Sequence, residues 1–134
     1  MVTTFQKGNS KLSSQILIVE DDDILRELLI KGLDRQGLYV RGARTCAEAV
    51  ALLEEGQPDL LVLDINLPDG NGLKLLDQLR ADPFKLTVPV MIMSSLPVTR
   101  GQLRQHAVDS FVPKPLNVQT FIMKVQGILA IHHS

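Results

Sequence analysis

The sequence predicts a doubly wound (βα)5 sandwich, an α/β fold with a five-stranded parallel sheet. Three observations predict it. Short apolar runs without polar alternation recur along the 134 residues, as in strands buried on both faces. Helical apolar stripes separate the runs, which is the pattern of parallel strands joined by right-handed crossovers. Polar and acidic residues stand directly after the runs, at the end where open α/β sheets bind ligands.

Residues 1–14 are polar, contain Gly8-Asn9-Ser10, and read as a flexible tail; the domain then spans 15–131. Gln15–Val19 is the first strand. Asp22 or Asp23 caps the helix behind it, whose stripe is Ile24, Leu25, Leu28, Leu29 and Leu33 and which Gly37 ends. Leu38–Val40 is a weak second strand. Thr45 and Glu48 have capping-box spacing, with Ala49, Leu52 and Leu53 as the stripe behind them and Gly56 as the stop. Leu60–Leu63 is the third strand. The run Pro68-Asp69-Gly70-Asn71-Gly72 is dense in turn residues, and Leu73, Leu76 and Leu79 mark a helix broken at Asp82-Pro83. Val88–Met93 is the fourth strand and Phe111-Val112 a brief fifth. Between Pro97 and Val108 the pattern is polar and holds Gly101, so the fourth helix is the weakest element. Val118, Phe121, Ile122, Val125, Ile128 and Leu129 make the cleanest stripe, on a helix that runs to Ala130. Residues 132–134 read as a tail or linker end, and His132-His133 as part of it rather than as a metal site.

Composition excludes several classes. Fourteen Lys and Arg against fifteen Asp and Glu give a net charge of −1, which argues against a basic nucleic-acid footprint and against a polybasic membrane patch. The longest uncharged run, Leu86–Thr99, is too short to span a bilayer and contains Pro89 and Pro97. The N-terminus has no apolar segment of the signal-peptide kind. The single cysteine, Cys46, makes neither an intrachain disulfide nor a thiolate zinc site and reads as a small packed residue. A cytoplasmic location is expected. His106 reads as a surface residue of the weak fourth helix.

The strand ends carry the chemistry. Glu20, Asp21, Asp22 and Asp23 follow the first strand, Asp64 the third, Ser94 and Ser95 the fourth, and Lys114-Pro115 the fifth. Singly these are weak signals, since acids after strands are often helix caps and a lone serine is often a turn residue. Together they form one rim. Crowded carboxylates repel, and a hard divalent cation relieves them. Mg²⁺ takes few carboxylates, keeps waters and accepts a phosphoryl oxygen. With a lysine and a hydroxyl nearby, the set suits phosphoryl transfer to an aspartate.

These residues resemble the receiver domain of two-component response regulators. IVED at 18–21 is similar to the family's acidic pair, and LVLDINLPDGNGLKLL at 61–76 to its phosphoacceptor strand, loop and helix. PVMIMSS at 89–95 is similar to its fourth strand with the hydroxyl residue, and FVPKP at 111–115 to its switch aromatic and Lys-Pro. The resemblance covers residues 15–131 and implies the flavodoxin-like strand order 2-1-3-4-5. It implies that Asp64 is the phosphoacceptor. It implies Mg²⁺ or Mn²⁺ on Asp21, Asp64, the Asn66 backbone carbonyl and, through water, Glu20. Lys114, Ser94 and Ser95 would contact the phosphoryl group, Ser94 and Phe111 would form the switch, and the bond before Pro115 would be cis. The donor would be a phosphohistidine on a sensor histidine kinase or phosphotransfer protein. The chain would act on itself and not as an enzyme, switching a surface for a downstream partner around the fourth helix, fifth strand and last helix.

The sequence also departs from the family. The stretch from Ser94 to Lys114 is about two residues short, Leu96-Pro97 stands where the fourth helix normally begins, and Ala107 replaces a usual glycine. A homodimer through the fourth helix, fifth strand and last helix stays open, although Thr120 and Lys124 stand where winged-helix relatives carry an ion-pairing Glu and Arg. Ile122 and Ile128 read as core, with Met123 beside them as possible contact surface.

Three other classes share parts of this residue pattern. A haloacid dehalogenase phosphatase needs an aspartate where this chain has Asn66, and a flavodoxin's phosphate would meet Glu20 and three aspartates. The third is a receiver that docks without phosphorylation. No effector domain lies within these residues, so the sequence reads as a stand-alone receiver or as part of a longer protein. Leu96, two residues past Ser94, is apolar and is expected to shield an acyl phosphate on Asp64 from water. The phosphorylated half-life should therefore be longer in the natural chain than in Leu96→Glu, followed as loss of the phosphoryl mass with time.

Overall fold

Five strands pair in parallel: β1 (Gln15–Val19), β2 (Tyr39–Ala43), β3 (Leu60–Asp64), β4 (Val90–Ser94) and β5 (Ser110–Pro113), in the order β2-β1-β3-β4-β5. Five helices alternate with them: α1 (Asp23–Asp34), α2 (Cys46–Glu55), α3 (Gly72–Arg80), α4 (Arg100–Gln105) and α5 (Val118–His133). Asn66–Leu67 and Gly70–Asn71 add a two-residue antiparallel ladder ahead of α3. The computed structural model describes residues 13–133. Most of the tail expected at 1–14, and the side chains of His132 and His133, lie outside the described residues. No helix among the described residues is long and apolar enough to cross a membrane.

The missing alternation in the strands has a direct cause. Leu17, Val19, Leu61, Leu63 and Ile92 face one side of the sheet, with Ala49 and Leu53 of α2 and Leu76 and Leu79 of α3. Ile16, Ile18, Leu60, Val62, Met91 and Met93 face the other, with Leu29 and Leu33 of α1 and Phe121 and Val125 of α5. Each fully buried side chain of this size contributes about 1.5–3 kcal/mol of transfer free energy. The register then levels the strand ends. Val19 pairs with Leu63, Asp64 with Met93 and Ser94 with Pro113, so the residues that follow share one rim.

Several boundaries differ from expectation. β2 runs Tyr39–Ala43 instead of Leu38–Val40, because it pairs with β1 along its whole length, from Gln15↔Tyr39 to Val19↔Ala43. Pairing, not hydrophobicity, carries Arg41 and Gly42 into the edge strand. The α1 stripe is narrower than expected: Leu29 and Leu33 are buried, whereas Ile24 and Leu28 are exposed. At α2 the capping box is half formed. Thr45 Oγ1 accepts the Glu48 N–H at 3.0 Å, but Glu48 Oε1 takes the Arg44 N–H at 2.9 Å. The complete box is at α4, where Thr99 and Gln102 bond reciprocally at 2.9 and 3.0 Å. That box forms a helix in a segment without an apolar stripe, and none of its six residues is buried. α5 continues through His133, past Ala130, so residues 132 and 133 extend the helix instead of forming a tail.

Ala107 joins α4 to β5 at φ +55°, a left-handed conformation in which an L side chain crowds its own backbone. Arg80 Nη2 holds the Ala107 carbonyl at 2.9 Å and fixes this turn. Replacing Ala107 by glycine removes that crowding. Ala107→Gly should stabilise the fold by about 1 kcal/mol, read as a higher midpoint in urea at unchanged slope.

Candidate functional site

The rim is built from backbone outward. Glu20 leaves β1 with its N–H on the Ala43 carbonyl at 2.9 Å, and β3 ends on Asp64. Both carboxylates are buried, Glu20 at 0% and Asp64 at 4% exposure, while Asp21 is exposed. One oxygen from each of the three lies within 4.8 Å of the others. Lys114 Nζ sits between the buried pair, 2.6 Å from Glu20 Oε1 and 2.9 Å from Asp64 Oδ2. Backbone amides hold the remaining oxygens: Asp22 N–H donates to Glu20 Oε2 at 3.0 Å, and Asn66 N–H to Asp64 Oδ1 at 3.3 Å.

Burial sets the electrostatics. It pushes the Glu20 carboxyl above the ordinary carboxylate range, against the pull of Lys114 and the Asp22 amide and with a further push from Asp64. Burial also disfavours the Lys114 ammonium, but its bonds to Glu20 and Asp64 outweigh this and hold its pKa above the usual lysine value. Three carboxylates against one ammonium leave an excess of two negative charges when all are ionised. The donor set is all hard oxygen, so a small divalent cation fits both the charge and the ligand type.

The other expected residues lie on the same rim. Ser94 is buried; its Oγ accepts the Leu96 N–H at 2.9 Å and its carbonyl accepts the Lys114 N–H at 2.8 Å. Ser95 and Leu96 are exposed. Phe111 is half-buried against the core on the α2 and α3 side, and its carbonyl accepts from Lys124 Nζ at 3.0 Å. The Lys114–Pro115 bond is cis, as is Asp82–Pro83. His106 is not simply a surface residue. Its Nδ1 lies 2.8 Å from Asp77 Oδ1, so it joins the end of α4 to α3. Cys46 is partly covered; burial, and then Asp69, push its thiol up to about 11, which leaves it a poor nucleophile at neutral pH.

Motif spacing singles out neither Gly72 nor Asp69, yet both shape the site. Gly72 N–H donates to the Ile65 carbonyl at 2.6 Å, and a Cβ at Gly72 would overlap the Asp64 carbonyl oxygen and come 3.0 Å from Ile65 Cα. Its signal in the sequence is a glycine at the first helical position, where helix propensity disfavours it. The Asp69 carboxylate accepts the Cys46 and Ala47 N–H groups at 2.7 and 3.0 Å, tying the loop after Asp64 to the start of α2. Those two amides hold its carboxyl below the ordinary range.

Residues 16–126 match the family described as the response regulator receiver domain. The chain belongs to this family. It is 33% identical over 116 residues to Protein PetR of Rhodobacter capsulatus, covering 85% of this chain and 48% of that protein. It is 27% identical over 120 residues to the polar-differentiation response regulator DivK of Brucella ovis, covering 88% of this chain and 98% of DivK. The chain thus spans about half the length of PetR and nearly all of DivK. The crystal structure of a two-component response regulator from Clostridium difficile aligns at 27% identity with a TM-score of 0.83, covering 91% of this receiver and 100% of that chain. The phosphatase and flavodoxin rivals fall with this membership.

Gly72 packs on the backbone that presents Asp64, so a methyl group there must move either α3 or Asp64 itself. Gly72→Ala should destabilise the receiver by about 3 kcal/mol, measured as a lower urea midpoint.

Proposed function

We propose that Asp64 of this receiver accepts a phosphoryl group from a phosphohistidine on a sensor histidine kinase or phosphotransfer protein. The observation that carries this reading is the Lys114 ammonium lodged between two buried carboxylates, with the exposed Asp21 completing the acidic group. Asp21, Asp64 and the Asn66 backbone carbonyl would hold Mg²⁺ or Mn²⁺, and Glu20 would reach it through water. When bound, the ion neutralises charge on the phosphoryl oxygens.

A carboxylate oxygen of Asp64 attacks phosphorus in line as the bond from phosphorus to the imidazole nitrogen breaks. The imidazole leaves and an acyl phosphate forms on Asp64. Lys114 then shifts its hydrogen bond to a phosphoryl oxygen. The Ser94 hydroxyl accepts from Leu96 through a lone pair, so its own proton is free for the same group. Ser95 adds a donor from the same loop. Because the Lys114 N–H binds the Ser94 carbonyl, movement of Ser94 pulls on the segment that carries Lys114 and Phe111. Phe111 turns inward as Ser94 moves, and the α4–β5–α5 surface changes for a downstream partner or a second copy. The receiver unit is 15–131; it contacts neither nucleic acid nor membrane and works in the cytoplasm. It modifies itself and no other substrate.

Incubation with acetyl phosphate and Mg²⁺ should give a single phosphoryl adduct by intact mass. Asp64→Asn, and the natural chain with EDTA, should give none. Folded protein that takes neither the adduct nor beryllofluoride would instead be a receiver that docks without phosphorylation.

A further inference from the structure

Arg26 stands on α1 and reaches back over the rim. Its Nη1 donates to the Glu20 carbonyl at 2.8 Å and its Nη2 to Asp23 Oδ1 at 2.6 Å. The side chain is 13% exposed, well covered for an arginine. Gly42 of β2 makes room for it, since a Cβ at Gly42 would come 3.0 Å from Arg26 Cδ.

The Glu20 carbonyl needs such a donor. It lies past the last paired residue of β1, and the Asp22 carbonyl, not this one, takes the Arg26 N–H at the start of α1. With Arg26 in place every polar group of Glu20 is held. Its N–H goes to Ala43, its carbonyl to Arg26 and Oε2 to the Asp22 amide, while Oε1 is ion-paired with the Lys114 ammonium. The peptide between Glu20 and Asp21 is thereby fixed. Both acidic side chains hang from the two ends of that one peptide.

We infer that Arg26 is a positioning residue for the metal site, acting through the Glu20–Asp21 peptide. This rests on the reading of Glu20, Asp21 and Asp64 as a divalent-cation site. Charge and position predict opposite outcomes here. A guanidinium near a cation site repels the cation, so loss of charge alone would tighten binding. Loss of position weakens it. Position also separates two metals. Mg²⁺ demands near-ideal octahedral geometry, whereas Ca²⁺ tolerates irregular ligands, so a loosened peptide costs Mg²⁺ more.

The test is calorimetric titration of the full chain with MgCl₂ and CaCl₂ at fixed ionic strength, comparing the natural protein with Arg26→Met and Arg26→Lys. Metal-free thermal melts report whether each variant is folded. Arg26→Met should bind Mg²⁺ about tenfold more weakly. Ca²⁺ should fall less, so the preference between the two narrows, and Arg26→Lys should recover part of the loss. A folded Arg26→Met that binds Mg²⁺ as tightly as the natural chain, or more tightly, overturns the inference alone. If Arg26→Met does not fold, Arg26→Lys decides: weaker Mg²⁺ with Ca²⁺ less affected supports positioning, and equal Mg²⁺ overturns it. A natural chain that takes up no Mg²⁺ overturns the site reading and this inference together.

Discussion

The ammonium of Lys114, lodged between Glu20 and Asp64, is the interaction on which the rest of the rim depends. Two buried carboxylates from adjacent strands would otherwise face each other without compensation, and an unpaired buried charge is strongly destabilising. Lys114 comes from the segment after β5, at the edge of the sheet, while Glu20 follows β1 and Asp64 ends β3, strands nearer its centre. One side chain therefore joins the ends of β1 and β3 to the segment beyond β5. Its backbone N–H adds β4 by way of the Ser94 carbonyl. The same residue thus touches Asp64 through its side chain and Ser94 through its backbone.

The backbone around this contact leaves little slack. Gly72 lets the start of α3 lie directly on the peptide of Asp64, and Asp69 anchors the intervening loop to α2. Arg26 and Ala43 hold the peptide groups of Glu20. The acids are thus presented by fixed backbone instead of by free side chains on a loop, which is what a small, geometrically demanding cation requires.

Much of this was legible in the sequence, for reasons that individual elements make plain. β1, β3 and β4 stood out because burial on both faces removes polar residues from them altogether. Glu20, Asp64, Ser94 and Lys114 stood out because each interrupts or follows such a run. The bounds of β2 are not legible because an edge strand takes its length from its partner, and Arg41 and Gly42 carry no strand signal. The α1 stripe is narrower than its periodicity, because periodicity gives the direction of a helix face and not its width: Ile24 and Leu28 share the spacing of Leu29 and Leu33 but not their burial. α4 was faint because a capping box, not an apolar stripe, defines it. Gly72, Asp69 and Arg26 carry no such mark, because their partners are backbone groups of other elements and such contacts exist only once the chain has folded.

The exposure of α4 has an evolutionary consequence. With none of its six residues in the core, the helix is under almost no packing constraint, and substitutions on such surfaces usually alter stability by about 0.5 kcal/mol or less. Its sequence can drift or be selected without disturbing the buried acids a strand away. The rim and this helix are therefore constrained separately. One descendant can keep the same rim while α4 is rewritten, so a lineage of such domains can diversify this surface far faster than its buried acids.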